Sequence, residues 1–386
     1  MKYNSPLTYK EPFSLNTFNY QFIDEARVTS SYSAFMLTEW NPYAKLRVIG
    51  AVRVDKFEIN KNYFTNFEIA STYRLNKNNL IRYVFSKANK SPFFFDSYLN
   101  TNLQIEVKNI SDDGQNTSTI PVKLAINGAD DLKYPTITNH EIGWRTKLNP
   151  RMSLDIEVFY SSVTNFVNPI IYREYQIIQH LGENGTADSI ISINVVGNVV
   201  FENFDLKAQQ YGAGFTFTYD FAEQFSAKIF GTYQKTKVSG RKNIDFTTTS
   251  IQIGEVSPDN IQTTVVAATM NPIQWSDKLT PSFFGGFLLN YKPSSAWDLC
   301  VDGYVYTNQE FTYYNYYELM DETSIEKAKV EMIIKSNIVL NAKTSYQFNS
   351  HTTSFIAIKN ICGKHREYGF VDQIGRLFLI GVQWKL

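Results

Sequence analysis

Thirteen stretches of this chain alternate apolar and polar residues, and the gaps between them alternate too, short then long. The stretches run at 28–40, 45–57, 65–75, 80–88, 138–149, 152–164, 206–219, 225–236, 282–291, 297–308, 336–347, 353–361 and 376–386. Short gaps carry turn residues: Asn41-Pro42, Asn76–Asn79, Asn149-Pro150, Phe221–Gln224, Pro293–Ser295 and Asn349–His351. The intervening connections are long, for example 89–137, 165–205, 237–281 and 309–335. Compact soluble domains rarely carry loops beyond about 12–15 residues, and a regular series of them is foreign to such folds. A membrane β-barrel has this arrangement, with tight turns on one rim and long loops on the other.

Within each stretch the alternation has period two, which places one set of side chains on each face of a strand. Met152, Leu154, Ile156, Val158 and Tyr160 oppose Ser153, Asp155 and Glu157. Leu46, Val48, Gly50, Val52 and Val54 oppose Arg47, Arg53 and Asp55. Phe378, Ile380, Val382 and Trp384 oppose Gln383 and Lys385. The stretches approach about 10–13 residues, long for soluble sheets and near the length that crosses a bilayer at a tilt. Their apolar faces end in rings, among them Trp40, Tyr160, Tyr219, Tyr291, Trp297, Tyr346 and Trp384. Ring-bearing strand ends suit the two interfaces between lipid and water.

Composition agrees. Aromatic residues make up 15% of the chain, with 29 Phe and 25 Tyr. The 37 basic and 37 acidic residues cancel, so no global field draws nucleic acid to the chain. No stretch is apolar for long enough to form a membrane-spanning helix, a test to which spanning strands are invisible. Met1–Pro6 lacks the apolar core of a signal peptide, so the barrel reading implies a chain truncated at its front.

Several segments resemble the C-terminal barrel half of TonB-dependent outer-membrane receptors. Gly50–Asp55 is similar to that family's G-x-R-x-D strand. Arg82–Pro92 resembles its strand ending in R-x-P, with Lys90 in place of Arg. Glu141, Gly143, Trp144 and Arg145, followed by Leu154-Asp155 and Val158–Tyr160, resemble its E-x-G-[YW]-[RK] hairpin. Asn360-Ile361, Arg366, Tyr368, Gly375-Arg376 and Gly381–Leu386 resemble its closing hairpin. Gly214 stands where the family often has Glu, and the last residue is Leu386 where Phe or Trp is usual.

The resemblance implies an all-β, antiparallel transmembrane barrel, here partial, with about 13 of about 22 strands. It assigns residues 28–386 to the barrel and 1–27 to an extracellular loop or the remnant of a preceding strand. It further implies a Gram-negative outer-membrane location, a missing plug domain, a TonB energy-coupling partner and a scarce solute. That solute would be a metal chelate, a cobalamin or an oligosaccharide, and the fragment would not transport by itself. Two alternatives stay open. One is a complete passive pore or adhesin-type barrel of about fourteen strands, which needs a strand in Phe18–Phe22. The other is a soluble carbohydrate-binding β-sandwich with its oily faces packed together.

No catalytic set, phosphate loop or metal spacing is present, so neither enzyme activity nor a cofactor is expected. His140, His180, His351 and His365 are scattered, and Cys300 and Cys362 fall near opposite rims. Asp155, Glu157, Arg53 and Lys343 fall on the polar face, which would line a hydrated lumen or meet the plug. The binding candidate is Tyr313, Tyr314, Tyr316 and Tyr317, whose flat faces and hydroxyls suit a sugar or a chelate. The plainer reading of the same residues is an outer aromatic girdle or the end of strand 297–308.

Overall fold

A computed structural model describes residues 7–8, 19–20, 29–110, 117–184, 187–240, 247–270, 273–274, 276–314, 329–363, 365–366 and 373–385. Thirteen strands form one sheet. They are β1 (Ser31–Tyr43), β2 (Leu46–Phe57), β3 (Tyr63–Arg74), β4 (Asn79–Asn89), β5 (Thr136–Asn149), β6 (Met152–Thr164) and β7 (Leu206–Ala222). Then come β8 (Phe225–Gly240), β9 (Phe283–Tyr291), β10 (Trp297–Tyr306), β11 (Asn337–Gln347), β12 (Thr352–Lys359) and β13 (Leu377–Trp384). Each strand pairs with the next in sequence, so the sheet is an antiparallel meander from β1 to β13. It is open: β1 and β13 do not pair among the described residues.

The register keeps the two faces apart over the whole sheet. Asp155 stands between Arg145 of β5 and Thr216 of β7 on one face, while Ile156 stands between Trp144 and Phe215 on the other. Among the described residues the apolar face lacks a covering layer. Ile380 is 82% exposed and Phe378 69%, and Ile142, Val158, Ile229 and Ile356 are also exposed. A β-sandwich would bury such residues against a second sheet. That observation disposes of the soluble reading's packing. The fourteen-strand alternative gains no support either. Asn19–Tyr20 pairs with Leu7–Thr8 in a separate two-stranded sheet, and the rest of the Phe18–Phe22 candidate lies outside the described residues.

Two belts of rings bound the apolar face. Near the short turns lie Trp40, Tyr73, Trp144, Tyr219, Phe221 and Trp384. There the rings touch within a strand, Tyr219–Phe221 at 3.9 Å, and across strands, Phe221–Phe225 at 5.0 Å and Trp297–Tyr346 at 5.5 Å between centroids. Toward the long connections, Tyr160, Tyr211 and Tyr233 form the second belt. From Tyr219 to Tyr211 is about 27 Å along the strand at ~3.4 Å per residue, or ~20 Å of height at a barrel-like tilt. This approaches the apolar band of a membrane barrel, about 25 Å tall.

Phenylalanines face glycines across the ladder in five places: Phe159 and Gly212, Phe215 and Gly231, Phe230 and Gly286, Phe287 and Gly303, Phe355 and Gly381. Each ring lies over the bare backbone opposite. A Cβ added at Gly381 would meet the Phe355 ring at 2.4 Å. Aromatic side chains resting on cross-strand glycines shield the ladder and fix the register.

Two expectations need correction. Asn41-Pro42 does not make the first turn. β1 runs on to Tyr43 and slips register between Trp40 and Tyr43, so the Pro, which has no N–H to donate, sits in a bulge. The long connections are also not bare loops. Segments 100–110, 117–127, 166–181, 187–204, 247–253 and 261–270 form a second, six-stranded sheet. Their β-branched runs, such as Ile190–Val200, lack strict alternation, yet they have high strand propensity.

Candidate functional site: the polar wall and its rim

The polar face carries an ion-pair network at its centre. Arg82 of β4 donates from Nε to Glu141 Oε1 at 2.8 Å, from Nη1 to Asp155 Oδ1 at 2.6 Å and from Nη2 to Glu157 Oε2 at 2.6 Å. Arg145 Nε donates to Asp155 Oδ2 at 2.5 Å. The residues meet because β4, β5 and β6 place Arg82, Gly143 and Glu157 in one row across the ladder. Gly143 is the gap in that row: a Cβ there would lie 2.4 Å from the Arg82 guanidinium carbon. Gly214 continues the row on β7, and a Cβ there would crowd Glu157 Oε1 at 3.1 Å. Glycine at this position therefore leaves Glu157 room to reach Arg82. The two cations and three carboxylates leave a local surplus of negative charge.

A second knot lies nearer the long-connection rim. Asp55 Oδ1 accepts from Ser33 Oγ at 2.5 Å and from Arg53 Nε at 2.7 Å, while Asn66 Nδ2 donates to Oδ2 at 3.0 Å. Farther along the wall, Asn341 Nδ2 donates to Asp302 Oδ2 at 2.8 Å, and Lys343 Nζ sits 4.9 Å from the Phe355 ring centroid. Asp155, Glu157, Arg53 and Lys343 thus all occupy the polar face as the sequence indicated. Sequence reasoning missed Arg82 as the hub. The signal was there, because Arg82 falls in phase with Glu141 once β4 and β5 are paired.

At the rim, small apolar cores anchor the second sheet. Phe64, Leu132 and Tyr134 are buried together, with Val167 and Phe201 against them. Asn60 Nδ2 donates to the Leu132 carbonyl at 2.8 Å, and Ser97 Oγ meets Tyr134 Oη at 3.0 Å. The helix α1 (Phe94–Tyr98) closes this clasp, with Ala129 N donating to Asp96 O at 2.8 Å. Burial raises the Asp96 carboxyl above its ordinary range, with Lys90 opposing, and burial likewise raises the Tyr134 phenol. A second core joins Ile170, Phe204, Leu206 and Val238 where the 166–204 hairpin leaves the wall. Gly240 is required there: its φ is +92°, and a Cβ would lie 1.8 Å from the Asp205 carbonyl oxygen.

The tyrosine candidate is only partly visible. Tyr313 and Tyr314 end a strand, Gln309–Tyr314, that pairs with Lys329–Ile334; Tyr313 also pairs with Ile273. Tyr316 and Tyr317 lie outside the described residues. On the polar face just below, Tyr304 and Tyr306 stack at 6.4 Å, an aromatic pair the sequence reading did not single out. His140 is accounted for on the apolar face, stacked on Phe85 at 4.6 Å and bonded to Tyr83 Oη at 3.0 Å. Cys300 and Cys362 are both free.

The sequence pattern of one family, TonB dependent receptor-like, beta-barrel, matches residues 2–361. The chain belongs to this family. Solved TonB-dependent receptors share its fold. The siderophore receptor PirA from Acinetobacter baumannii is 14% identical with a TM-score of 0.59, covering 92% of this chain and 46% of that one. A variant of the ferric enterobactin receptor PfeA from Pseudomonas aeruginosa, bound to enterobactin, is 14% identical with a TM-score of 0.55, covering 92% and 45%. The siderophore receptor PirA from Pseudomonas aeruginosa is 11% identical with a TM-score of 0.52, covering 97% and 50%. The chain thus spans half or less of the length of these structures. No curated protein matches it in sequence.

Proposed function

We propose that this chain forms the wall of an energy-coupled importer in the outer membrane of a Gram-negative cell, taking up a metal chelate. The observation that carries the reading is the thirteen-strand meander whose bare apolar face lies between two belts of rings. Five of the six connections on that rim rise into paired strands, which supports a broad platform beside the lumen mouth. On this reading residues 28–386 form the barrel wall, and residues 1–27 are an extracellular loop or the remnant of a preceding strand.

The chelate is favoured over a cobalamin or an oligosaccharide because the similar structures include siderophore receptors, an argument by fold-level analogy. In this account Tyr313, Tyr314, Tyr316 and Tyr317 contact the ligand from above. A plug domain fills the lumen against the Arg82 network, and a TonB-type protein draws on the plug. The residues support binding and passage rather than catalysis.

Ferric enterobactin is the probe. Titrated into the full chain in detergent micelles, it should quench intrinsic fluorescence saturably, and alanine at the four tyrosines should weaken binding about tenfold. Binding equal to that of ferric citrate, or unchanged by the substitutions, contradicts the chelate assignment.

A further inference from the structure

We propose that the short-turn rim holds a binding site of its own, a polar cavity at the ends of β6–β9. It takes the free amino-acid end of a peptide, an ammonium and a carboxylate on one carbon. The inference goes beyond import and rests on the importer reading in one respect, that the short turns face the periplasm.

Three neighbouring turns build the cavity. Arg151 precedes β6, and its carbonyl accepts from Asp220 N at 2.9 Å. Asp220 pairs with Ser226 across the β7–β8 turn, and Ser226 pairs with Asn290 of β9. These residues carry the polar face down to its lower edge. The Arg151 guanidinium reaches the Phe221 carbonyl at 3.3 Å, and Lys292 N donates to the Gln224 carbonyl at 2.7 Å, so both flanking turns lean on the middle one. Between them lies a cavity of about 360 Å³, near the lower end of the range for small-molecule sites and enough for one amino-acid-sized group.

Its charges decide the ligand. Arg151 and Lys292 contribute two cations, and Asp220 and Glu223 two carboxylates, all on exposed residues. In the Arg82 network opposite charges meet directly, at 2.8 Å or less. Here no two of the four pair. Among the described residues Arg151, Asp220 and Glu223 form no ion pair, and Lys292 reaches only Asp298, at 3.9 Å. A ligand of one sign would meet as many like charges as opposite ones, and like-charge contacts cost what the others gain. A ligand that carries both signs a few ångströms apart finds partners for each. The planar fork of Arg151 suits its carboxylate, and Asp220 and Glu223 suit its ammonium. Ser226, Asn290 and Gln224 offer a hydroxyl and two amides to the peptide groups behind it. Free peptides in the periplasm present such an end, and so do the diamino acids in the peptides of the cell wall.

The test titrates three peptides into the full chain in detergent micelles, with binding read by saturation-transfer NMR. The first is alanyl-glutamyl-meso-diaminopimelic acid, whose side chain ends in the amino-acid group. The second carries lysine in place of the diamino acid and so lacks the terminal carboxylate. The third is acetylated on the terminal amine. The first should bind about tenfold more tightly than either of the others. Arg151→Gln should abolish the preference over the lysine peptide. Asp220→Asn with Glu223→Gln should abolish the preference over the acetylated one. Neither variant should move the urea midpoint, because the residues are exposed. Equal binding of the three peptides, or preferences that survive the substitutions, overturns the proposal. Sedimentation with isolated cell walls distinguishes the sources. A chain that binds the first peptide and sediments takes the group on the polymer, and one that binds it without sedimenting takes free peptides. Cell fractionation separates this claim from the importer reading. A chain absent from the outer membrane fails that reading, whereas a chain present there that binds all three peptides equally fails only the cavity.

Discussion

Arg82 gathers three carboxylates from two neighbouring strands, so its loss leaves Glu141, Asp155 and Glu157 facing one another without a cation at the centre. The cluster is only partly exposed, with the Arg82 side chain 17% accessible, so water screens it incompletely. Arg82→Met should lower stability in micelles by about 3 kcal/mol, read as a fall in the urea midpoint. Adding Glu141→Gln, Asp155→Asn and Glu157→Gln to that variant should recover most of the loss, because the carboxylates go with their cation and the Arg145 left behind is 63% exposed to water. A single variant as stable as the parent shows that the network holds nothing together. The same row explains two residues that sequence motifs alone leave opaque. Gly143 and Gly214 are small because the guanidinium and Glu157 need the space above them. Nothing in the linear order of residues joins Arg82 to Glu157, which stand 75 positions apart. Only the pairing of β4 with β5 and β5 with β6 brings them together.

At the scale of elements, the thirteen wall strands were legible because apolar and polar side chains take opposite faces of one sheet, so period two survives intact. The second sheet was illegible for the converse reason. Runs such as Ile170, Ile171 and Tyr172 in one strand, and Ile190 to Val200 in its partner, carry strand propensity without alternation, and length alone made them look like loops. The bulge at Asn41-Pro42 misled in the same way, as turn residues inside a strand. The tyrosine candidate stayed half-hidden: Tyr313 and Tyr314 fall in a paired strand, and no periodicity reports what a side chain on that strand faces.

The rim clasp yields a prediction of its own. Because burial raises the Asp96 carboxyl above its ordinary value of 3.8, the folded clasp retains a proton that the opened one releases. Stability of the clasp is therefore greatest below that value and declines as pH rises through the elevated one. Protection factors of the Gly128 and Ala129 amides, which bond the carbonyls of Leu99 and Asp96, should fall over that interval. Asp96→Asn should flatten the decline. A protection profile that rises with pH, or that Asn leaves unaltered, contradicts this account.

For the whole molecule, the account stands on one geometric claim: the face of Leu154, Ile156 and Val158 lies in lipid, and the face of Ser153, Asp155 and Glu157 lies in a hydrated lumen. Family membership, the meander and the two ring belts all converge on it, and the function as importer presupposes it. The direct measurement is a nitroxide scan of residues 153–160, one label at a time, in the cysteine-free chain reconstituted into bilayers. Collision rates with oxygen, which concentrates in lipid, and with a water-soluble nickel chelate are read at each site. The account predicts oxygen maxima at 154, 156 and 158 and nickel maxima at 153, 155 and 157, with period two throughout. Equal accessibility to both reagents at odd and even positions, or apolar positions reached by neither reagent as in a packed soluble core, would contradict it.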